Sequence, residues 1–226
     1  MPQEIKTVTL RGRLYAVNCY LVKSDAGCVL IDTGLSTKRA ELARALDGAG
    51  CGPGDLRLIV ITHGDADHAG NAAYLRGTYG ARIAMHRAEW QAVERGNMLL
   101  SRGRMPFLRR TVGGLLFRFA GLHTPDRFEP DLHFEDGEDL SGHGLDARVL
   151  HLPGHSQGSI GVLTADGDLF CGDLLTNLGE AKPNSLVDDP ADLEASLDRL
   201  RNLEIRTVYP GHGQPFPMEL LRMGPA

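Results

Sequence analysis

The sequence predicts an α/β fold, in which β-strands alternate with amphipathic helices along the chain. Val8 and Leu10 alternate with polar neighbours, as the residues of a half-buried strand do. Leu42, Leu46 and Ala49 recur at the spacing that places them on one face of a helix. Gly is plentiful, at 28 residues, and much of it stands where the predicted strands run into loops. Together these observations indicate a mixed chain with many tight turns.

In the first half of the chain, the predicted elements follow one another closely. Further strands are expected around residues 15–21, 28–31, 57–62 and 82–85. Ser36 or Thr37 is the expected N-cap of the first helix, and Gly50, Gly52 and Pro53 stop it. Two shorter helices are expected around residues 70–76 and 88–95.

The strand pattern returns in the second half. Strands are expected around residues 147–152, 159–163, 169–171 and 206–209. Asp166 and Gly167 occupy the short turn between two of these strands, which is typical of a hairpin. Asp189 is the expected N-cap of a helix that begins at Pro190, because Pro suits the first helical position. Leu193, Leu197 and Leu200 would share one face of it.

Residues from about 97 to 130 differ from their surroundings. Large apolar side chains are mixed there with several Arg, and Gly and Pro interrupt every periodic pattern. We interpret this stretch as an inserted, partly helical segment within a single domain that spans residues 1–226.

Composition limits the classes of function. With 42% hydrophobic and 23% charged residues the chain is typical of a globular protein, and its net charge of -5 argues against nucleic-acid binding. No apolar stretch is long enough to span a membrane, and the first residues show no basic segment followed by an apolar one, so we expect no secretory signal. The four Cys (Cys19, Cys28, Cys51 and Cys171) form no Cys-x-x-Cys pair, so we expect buried free thiols and a cytoplasmic location.

The most informative motif lies in residues 63–68, directly after the apolar run 58–61. Four of its six side chains can bind metal, namely His63, Asp65, Asp67 and His68. Imidazole and carboxylate groups suit Zn²⁺, Fe or Mn²⁺. Because residues two apart in an extended loop can turn to the same side, His63 and Asp65 could share one ion, and Asp67 and His68 could serve another.

Three later elements accompany this motif. They are Pro153-Gly154-His155, Gly172-Asp173 and Pro210-Gly211-His212, each at the end of a predicted strand. The alternative interpretation of residues 63–68 is a polar loop rich in helix N-caps, and the later elements count against it. An ordered set of this kind is what a two-metal hydrolytic site needs.

These elements, with Asp32-Thr33-Gly34 before them, resemble the metallo-β-lactamase superfamily of metal-dependent hydrolases. The matching elements occur in the family's order along the chain. After Asp32-Thr33-Gly34 they are residues 62–68, Pro153-Gly154-His155-Ser156, Gly172-Asp173 and Pro210-Gly211-His212-Gly213. It implies an αββα four-layer sandwich of two mixed β-sheets flanked by helices, with the site at one edge.

The resemblance also implies two divalent metal ions. The first ion would be held by His63, Asp65 and His155. The second would be held by Asp67, His68 and His212. Asp173 would bridge the two ions, and Asp32 would support the loop by hydrogen bonds without binding metal. Asp67 would have the added catalytic role of orienting the nucleophile or carrying its proton, whereas Ser156 would only stabilise its loop.

Asp65 departs from the family pattern His-x-His-x-Asp-His, which has a second His at this position. A carboxylate is a harder and shorter ligand than imidazole, and it adds a negative charge. Zn²⁺ remains the expected metal, with Fe or Mn²⁺ as alternatives because of Asp65. The same change would also be compatible with a weakened first site, a single bound metal, or an Asp65 that only braces a neighbouring ligand.

The favoured function is hydrolysis of a small ester, thioester or lactone by a metal-activated hydroxide. The alternatives are a mononuclear-iron, persulfide-dioxygenase-like oxidoreductase, a phosphodiester hydrolase, and a non-catalytic member of the family. The few residues after His212 leave no room for the C-terminal domain of glyoxalase II, so a smaller thioesterase or lactonase similar to it is expected. We expect a small-molecule substrate, no nucleic-acid or membrane partner, and either a monomer or a homodimer.

Other polar groups have less defined roles. In this family an insertion such as residues 97–130 often caps the site. Its Arg side chains would then meet a substrate carboxylate or phosphate. The alternatives are an amphipathic cover packed on the sandwich and a dimer contact. The Arg side chains are Arg102, Arg104, Arg109 and Arg110. The remaining His residues lie outside the metal-binding motifs, and they are His86, His123, His133, His143 and His151. Among them, His123 lies in the insertion and is the one most expected to face substrate.

Overall fold

The computed structural model of the protein describes residues 3–12, 16–96 and 126–222. Its first sheet consists of six strands in chain order. They are β1 (Glu4–Arg11), β2 (Ala16–Ser24), β3 (Gly27–Ile31), β4 (Leu56–Val60), β5 (Arg82–His86) and β6 (Leu132–Phe134). The first three strands pair antiparallel, and β3 to β6 pair parallel. The carboxyl ends of β3, β4 and β5 therefore meet at one edge of the sheet.

The second sheet is also mixed. Its strands are β7 (Ala147–His151), β8 (Ile160–Thr164), β9 (Asp168–Asn177), β10 (Ala181–Pro183), β11 (Thr207–Gly213) and β12 (Phe216–Pro217). They are ordered β12-β11-β9-β8-β7, and β10 pairs with the end of β9. β11 runs parallel to β9, which brings the ends of both strands to the same edge.

Helices cover the outer faces of the two sheets. They are α1 (Arg39–Gly48), α2 (Ala66–Ala69), α3 (Ala72–Tyr79), α4 (Trp90–Arg95) and α5 (Pro190–Arg201). In the part of the chain that the structure describes, none of the helices has the length and apolar character that crossing a membrane requires.

Three layers of buried side chains lie between these elements. Leu21 of β2 packs with Leu42 of α1 between the first sheet and its helices. Its neighbour Tyr20 points the opposite way, between the sheets, where its ring centroid lies 5.2 Å from that of Phe170. Leu197 of α5 belongs to the third layer, outside the second sheet. The predicted αββα sandwich is thus confirmed.

Most of the predicted elements are present, with ends shifted by a few residues. The β8–β9 hairpin is confirmed, and Oδ1 of Asp189 caps α5 by accepting hydrogen bonds from the backbone N–H groups of Ala191 and Asp192 at 2.9 and 3.3 Å. All four Cys are buried and free. The strands β6, β10 and β12 were not predicted, because two or three residues show no alternation.

The predicted cap of the first helix is wrong. Ser36 and Thr37 lie inside a short 3-10 helix, Ser36–Lys38, that precedes α1, and neither helix has a side-chain cap. The backbone N–H of Lys38 bonds to the carbonyl of Leu35 at 2.8 Å, so the 3-10 turn satisfies a donor that a cap would otherwise serve. Most of the predicted insertion lies outside the described residues, and residues 126–130 form neither helix nor strand.

Candidate metal centre

Six of the predicted site residues form two clusters at the shared edge of the sheets. The first cluster consists of His63, His155 and Asp173, and the second of Asp67, His68 and His212. Within each cluster, one potential ligand atom per residue lies within 4.8 Å of the others. The residues come from four separate segments, namely residues 63–68 after β4, the loop after β7, β9 and β11, so the topology of both sheets is needed to assemble them.

Asp65, the residue that departs from the family pattern, lies beside the first cluster. Its Oδ2 is 3.6 Å from Nε2 of His63 and 3.3 Å from Nε2 of His155. Asp65 comes directly before the short helix α2, and its side chain does not cap that helix. The carboxylate is therefore turned toward the imidazoles and away from the helix terminus.

Asp173, a member of the first cluster, also faces the second cluster. Its Oδ1 is 3.2 Å from Nε2 of His68, and its Oδ2 is 3.4 Å from Nε2 of His212 and 3.9 Å from Nε2 of His155. On the other side of the second cluster, Oδ2 of Asp67 is 3.4 Å from Nε2 of His212. One carboxylate therefore faces imidazoles of both clusters.

The Nδ1 atoms of the four imidazoles are engaged on the side away from the centre. Those of His155 and His212 lie 2.7 and 2.6 Å from the backbone carbonyls of Leu186 and Ala16. Because a carbonyl only accepts, these Nδ1 atoms each carry a hydrogen, and Nε2 is the nitrogen that faces the clusters. Nδ1 of His63 lies 3.0 Å from the hydroxyl of Thr62, which orients that ring in the same way.

Asp32 supports the centre through a different contact. Its buried carboxylate lies 2.8 Å from Nδ1 of His68, and it accepts hydrogen bonds from the backbone N–H and the hydroxyl of Thr62. Asp32 adopts φ of 59°, the left-handed conformation that Asp tolerates better than most residues. The predicted supporting role of Asp32 is thus visible as three hydrogen bonds.

The carboxylates raise the proton affinity of the second cluster. Burial lowers the pKa of His68 and of His212, but the neighbouring carboxylates together outweigh it, and Asp173 has the largest effect among them. The pKa of His68 is thereby raised well above 6.5 and that of His212 to about 10. Burial raises the pKa of Asp173, and the opposing charges of His68 and His212 bring it well below 3.8. Without a metal ion, this cluster is therefore a strong proton acceptor.

Several buried atoms at the centre make no hydrogen bond with the residues that the structure describes. They are Nε2 of His63, Nε2 of His68 and Oδ1 of Asp173. Leaving such atoms unpaired costs about 1–3 kcal/mol each. Divalent cations in the two clusters would satisfy these atoms, and imidazole nitrogen with carboxylate oxygen is the donor set that Zn²⁺, Fe and Mn²⁺ accept. The residues present therefore fit a metal centre.

The other predicted residues lie elsewhere. His86 and His151 stack on each other with ring centroids 4.3 Å apart, and they belong to neither cluster. The hydroxyl of Ser156 lies 2.7 Å from that of Ser159, which supports its predicted role in the loop. His123 and the Arg residues of the insertion lie outside the described residues.

Three polar residues around the centre were not predicted from the sequence. Asn71 donates to the backbone carbonyls of Thr33 and Leu35 and so fixes the loop after β3. Nδ2 of Asn184 lies 3.5 Å from Oδ2 of Asp173, and Glu89 accepts hydrogen bonds from two loops. None of them belongs to a metal-binding pattern, so the sequence contains no signal for them.

An αββα sandwich with His/Asp clusters at one sheet edge defines a class of metal-binding α/β proteins. A family profile described as "Metallo-beta-lactamase superfamily" matches residues 12–212. The chain therefore belongs to the metallo-beta-lactamase superfamily, whose members bind divalent metals.

Similar proteins fall into the same family. Hydroxyacylglutathione hydrolase GloC of Haemophilus influenzae is 30% identical over 203 residues, which are 87% of this chain and 85% of that protein. Acyl-coenzyme A thioesterase MBLAC2 of Bos taurus is 30% identical over 226 residues, with 90% and 75% covered. The crystal structure of TTHA1623 in a di-iron-bound form is 30% identical, with a TM-score of 0.70 and coverage of 95% of this chain and 96% of that one.

Proposed function

We propose that the protein is a hydrolase that uses two divalent metal ions to cleave a small ester, thioester or lactone. The observation that carries the proposal is the position of Asp173, with one oxygen facing His68 and the other facing His212 and His155. A carboxylate placed in this way is suited to bridging two cations. The names of two relatives support acyl transfer to water, since one is a hydroxyacylglutathione hydrolase and the other an acyl-CoA thioesterase.

Each ion would have its own set of ligands. The first would be held by His63, Asp65 and His155. The second would be held by Asp67, His68 and His212. When bound, such ions lower the pKa of a shared water and polarise a substrate carbonyl. Asp65 makes the first set harder than a set with three imidazoles, so Fe or Mn²⁺ competes with Zn²⁺ there, and the di-iron form of a 30% identical protein supports iron.

The protein's own residues would orient the reactants. The side chains of Asp67 and His212 are each 15% exposed, whereas those of His63 and His68 are fully buried. The centre is therefore open on the side of Asp67 and His212, and substrate would approach there. Asp67 would accept a proton from the nucleophile at a carboxylate oxygen and hold the nucleophile in line with the carbonyl.

The fixed imidazoles would prepare the centre before substrate binds. Their Nδ1 contacts to Leu186, Ala16 and Asp32 hold each ring in one tautomer, so little reorganisation is needed on metal binding. The second cluster supports two ions over the single iron of a persulfide-dioxygenase-like enzyme, because it supplies a complete second set of N and O ligands.

Reconstitution of the purified chain with Zn²⁺, Fe²⁺ or Mn²⁺ tests this proposal. Metal content would be measured alongside turnover of lactones, acyl thioesters and phosphodiesters, and alongside oxygen uptake. We expect about two ions per chain and hydrolysis of an ester, thioester or lactone. One iron per chain with oxygen uptake, or turnover of phosphodiesters alone, would contradict it.

A matched pair of variants on β9 makes the test specific. Asp173→Asn removes the charge between the clusters and should abolish binding of the second equivalent of metal. Asp168→Asn changes a carboxylate at the start of the same strand, where it pairs with Arg206. That variant should keep both equivalents.

A further inference from the structure

Glu89 is a buried carboxylate that touches two loops of the metal centre. It lies at the end of a 3-10 helix, Arg87–Glu89, which follows β5, and its exposed fraction is 0%. Its Oε2 accepts a hydrogen bond of 2.8 Å from the backbone N–H of Gly64. Its Oε1 accepts one of 2.9 Å from the backbone N–H of Gly158. A single side chain therefore joins segments that are 94 residues apart in sequence (158 − 64 = 94).

Both loops carry residues of the first cluster. Gly64 stands between His63 and Asp65, and Gly158 lies in the loop after β7 that contains His155. Neither glycine belongs to a helix or strand, so sheet and helix hydrogen bonds do not fix these N–H groups. The relative position of the two loops then depends on the contacts between them, of which Glu89 supplies two.

The two glycines allow the carboxylate to come this close. A Cβ at Gly64 would lie 2.9 Å from Oε2 of Glu89, and a Cβ at Gly158 would lie 2.8 Å from its Cγ. Both distances are shorter than real carbon contacts allow, so any larger residue would push the loop away. The two hydrogen bonds and the close packing therefore depend together on Glu89, Gly64 and Gly158.

A carboxylate matches this pair of donors better than other side chains. It offers two acceptor oxygens and no hydrogen, so both N–H groups are satisfied at once by charge-assisted bonds. An amide of the same shape offers one oxygen and one NH₂ group, and the NH₂ group would face an N–H donor. A full negative charge in the interior is otherwise unfavourable, which indicates that its hydrogen bonds hold it there.

We propose that Glu89 is a positioning residue, which sets the affinity of the first metal site by fixing the two loops that carry His63, Asp65 and His155. The proposal rests on the metal binding in the proposed function. Glu89 itself touches neither cluster through its carboxylate, since both oxygens point to backbone N–H groups. The second site, on α2 and β11, does not depend on these two hydrogen bonds.

Zinc titration of the full chain, followed by NMR of the histidine ring signals, tests the proposal site by site. Shifts of His155 report the first site, and shifts of His212 report the second. In Glu89→Gln we expect the first site to weaken about 10-fold or more, as is typical when a ligand's supporting contact is lost, and the second to change less than about 3-fold. Glu89→Asp, with a side chain too short to reach both loops, should weaken the first site similarly.

The matched control is Asp131→Asn, because Oδ2 of Asp131 also accepts a backbone N–H, that of Ile83, at the opposite end of β5. This variant should leave both zinc affinities within about 2-fold of wild type, a smaller change than supporting contacts of metal ligands produce. Unchanged affinities in Glu89→Gln, or equal weakening of both sites, would overturn the proposal while leaving two-metal hydrolysis intact.

Hydrogen exchange of the wild-type protein without metal keeps the proposal testable if the variants do not fold. The N–H groups of Gly64 and Gly158 should both exchange at least about 100-fold more slowly than in an unfolded chain, because Glu89 holds them. Exchange of either group at the unfolded rate would overturn the proposal. Failure of the wild-type chain to bind zinc would instead contradict the proposed function.

Discussion

Nδ1 of His68 lies 2.8 Å from Oδ2 of Asp32, while Nε2 of the same ring lies 3.2 Å from Oδ1 of Asp173. One buried imidazole is thus held between two carboxylates. The first carboxylate also bonds to Thr62, directly before His63, so it connects the end of β4 to the short helix α2. The orientation of His68 is therefore set by the fold before any cation arrives.

Asp32→Asn is expected to weaken metal binding about 10- to 100-fold, because the neutral amide no longer increases the basicity of His68. Competition with a chelator would measure the affinity. Asp47→Asn is a suitable control, since Asp47 accepts a hydrogen bond from Tyr79 on the helix-covered side of the first sheet. Affinity equal to wild type in Asp32→Asn would show that His68 needs no such support.

Asp65→His is expected to retain bound metal or to bind it more tightly. The imidazole restores the family's pattern and removes one negative charge beside His63 and His155. The preference should move toward Zn²⁺, because imidazole is the softer ligand. Metal content after reconstitution with mixed Zn²⁺ and Fe²⁺ would measure both effects. Loss of all bound metal would show that residue 65 does not lie beside an ion.

Metal binding should release protons. Although burial lowers the pKa of His212, the carboxylates of Asp173 and Asp67 together raise it to about 10, so this imidazole is protonated at neutral pH until a cation displaces the proton. Affinity should therefore increase with pH up to about 10. Calorimetry in two buffers of different ionisation enthalpy counts the released protons. A count of zero near pH 7 would contradict the expected protonation of His212.

The stability of the metal-free protein should also depend on the protonation of His212. The folded pKa of His212, about 10, is above the ordinary value of 6.5, so protonation stabilises the folded state fully below pH 6.5. This contribution is lost as pH rises from 6.5 to about 10. Urea unfolding of the metal-free protein across this range measures the loss. A smaller pH dependence of the free energy of unfolding in His212→Gln than in the wild type would assign the effect to His212. An identical pH dependence in the two proteins would contradict the prediction.

Much of the fold could be predicted because it depends on local patterns. The alternation of Tyr20 and Leu21 between two layers, and the cap at Asp189, are properties of a few adjacent residues. The strand β6 and the 3-10 turn at Ser36 could not be predicted in this way. A strand of three residues shows no period, and the choice between a turn and a cap depends on the surrounding loop.

The candidate ligands were predicted from motifs that are contiguous in sequence. Among the groups that support these ligands, Asp32 was predicted, but the long-range contacts to backbone groups were not, because a backbone group carries no side-chain signal. His212, for example, donates to the backbone carbonyl of Ala16, and any residue type at that position would offer the same carbonyl. Glu89 resembles an ordinary charged residue near a helix start, and only the folded chain brings it to Gly64 and Gly158.

The contact between the two sheets next to the centre should contribute to stability. The hydroxyl of Tyr20 on β2 donates a 2.6 Å hydrogen bond to the carbonyl of Pro210 on β11, two residues before His212. Tyr20→Phe should lower the free energy of unfolding by about 1 kcal/mol, since Asn18 still bonds to the same carbonyl. Urea unfolding measures this, with Tyr209→Phe, a half-buried ring, as the control. Equal stabilities of Tyr20→Phe and wild type would refute this contribution.

Anomalous diffraction from crystals of the metal-reconstituted protein tests the central claim most directly. We expect two peaks, one among His63, Asp65 and His155 and the other among Asp67, His68 and His212, with Asp173 between them. A single peak, or peaks away from these residues, would contradict a two-metal hydrolase.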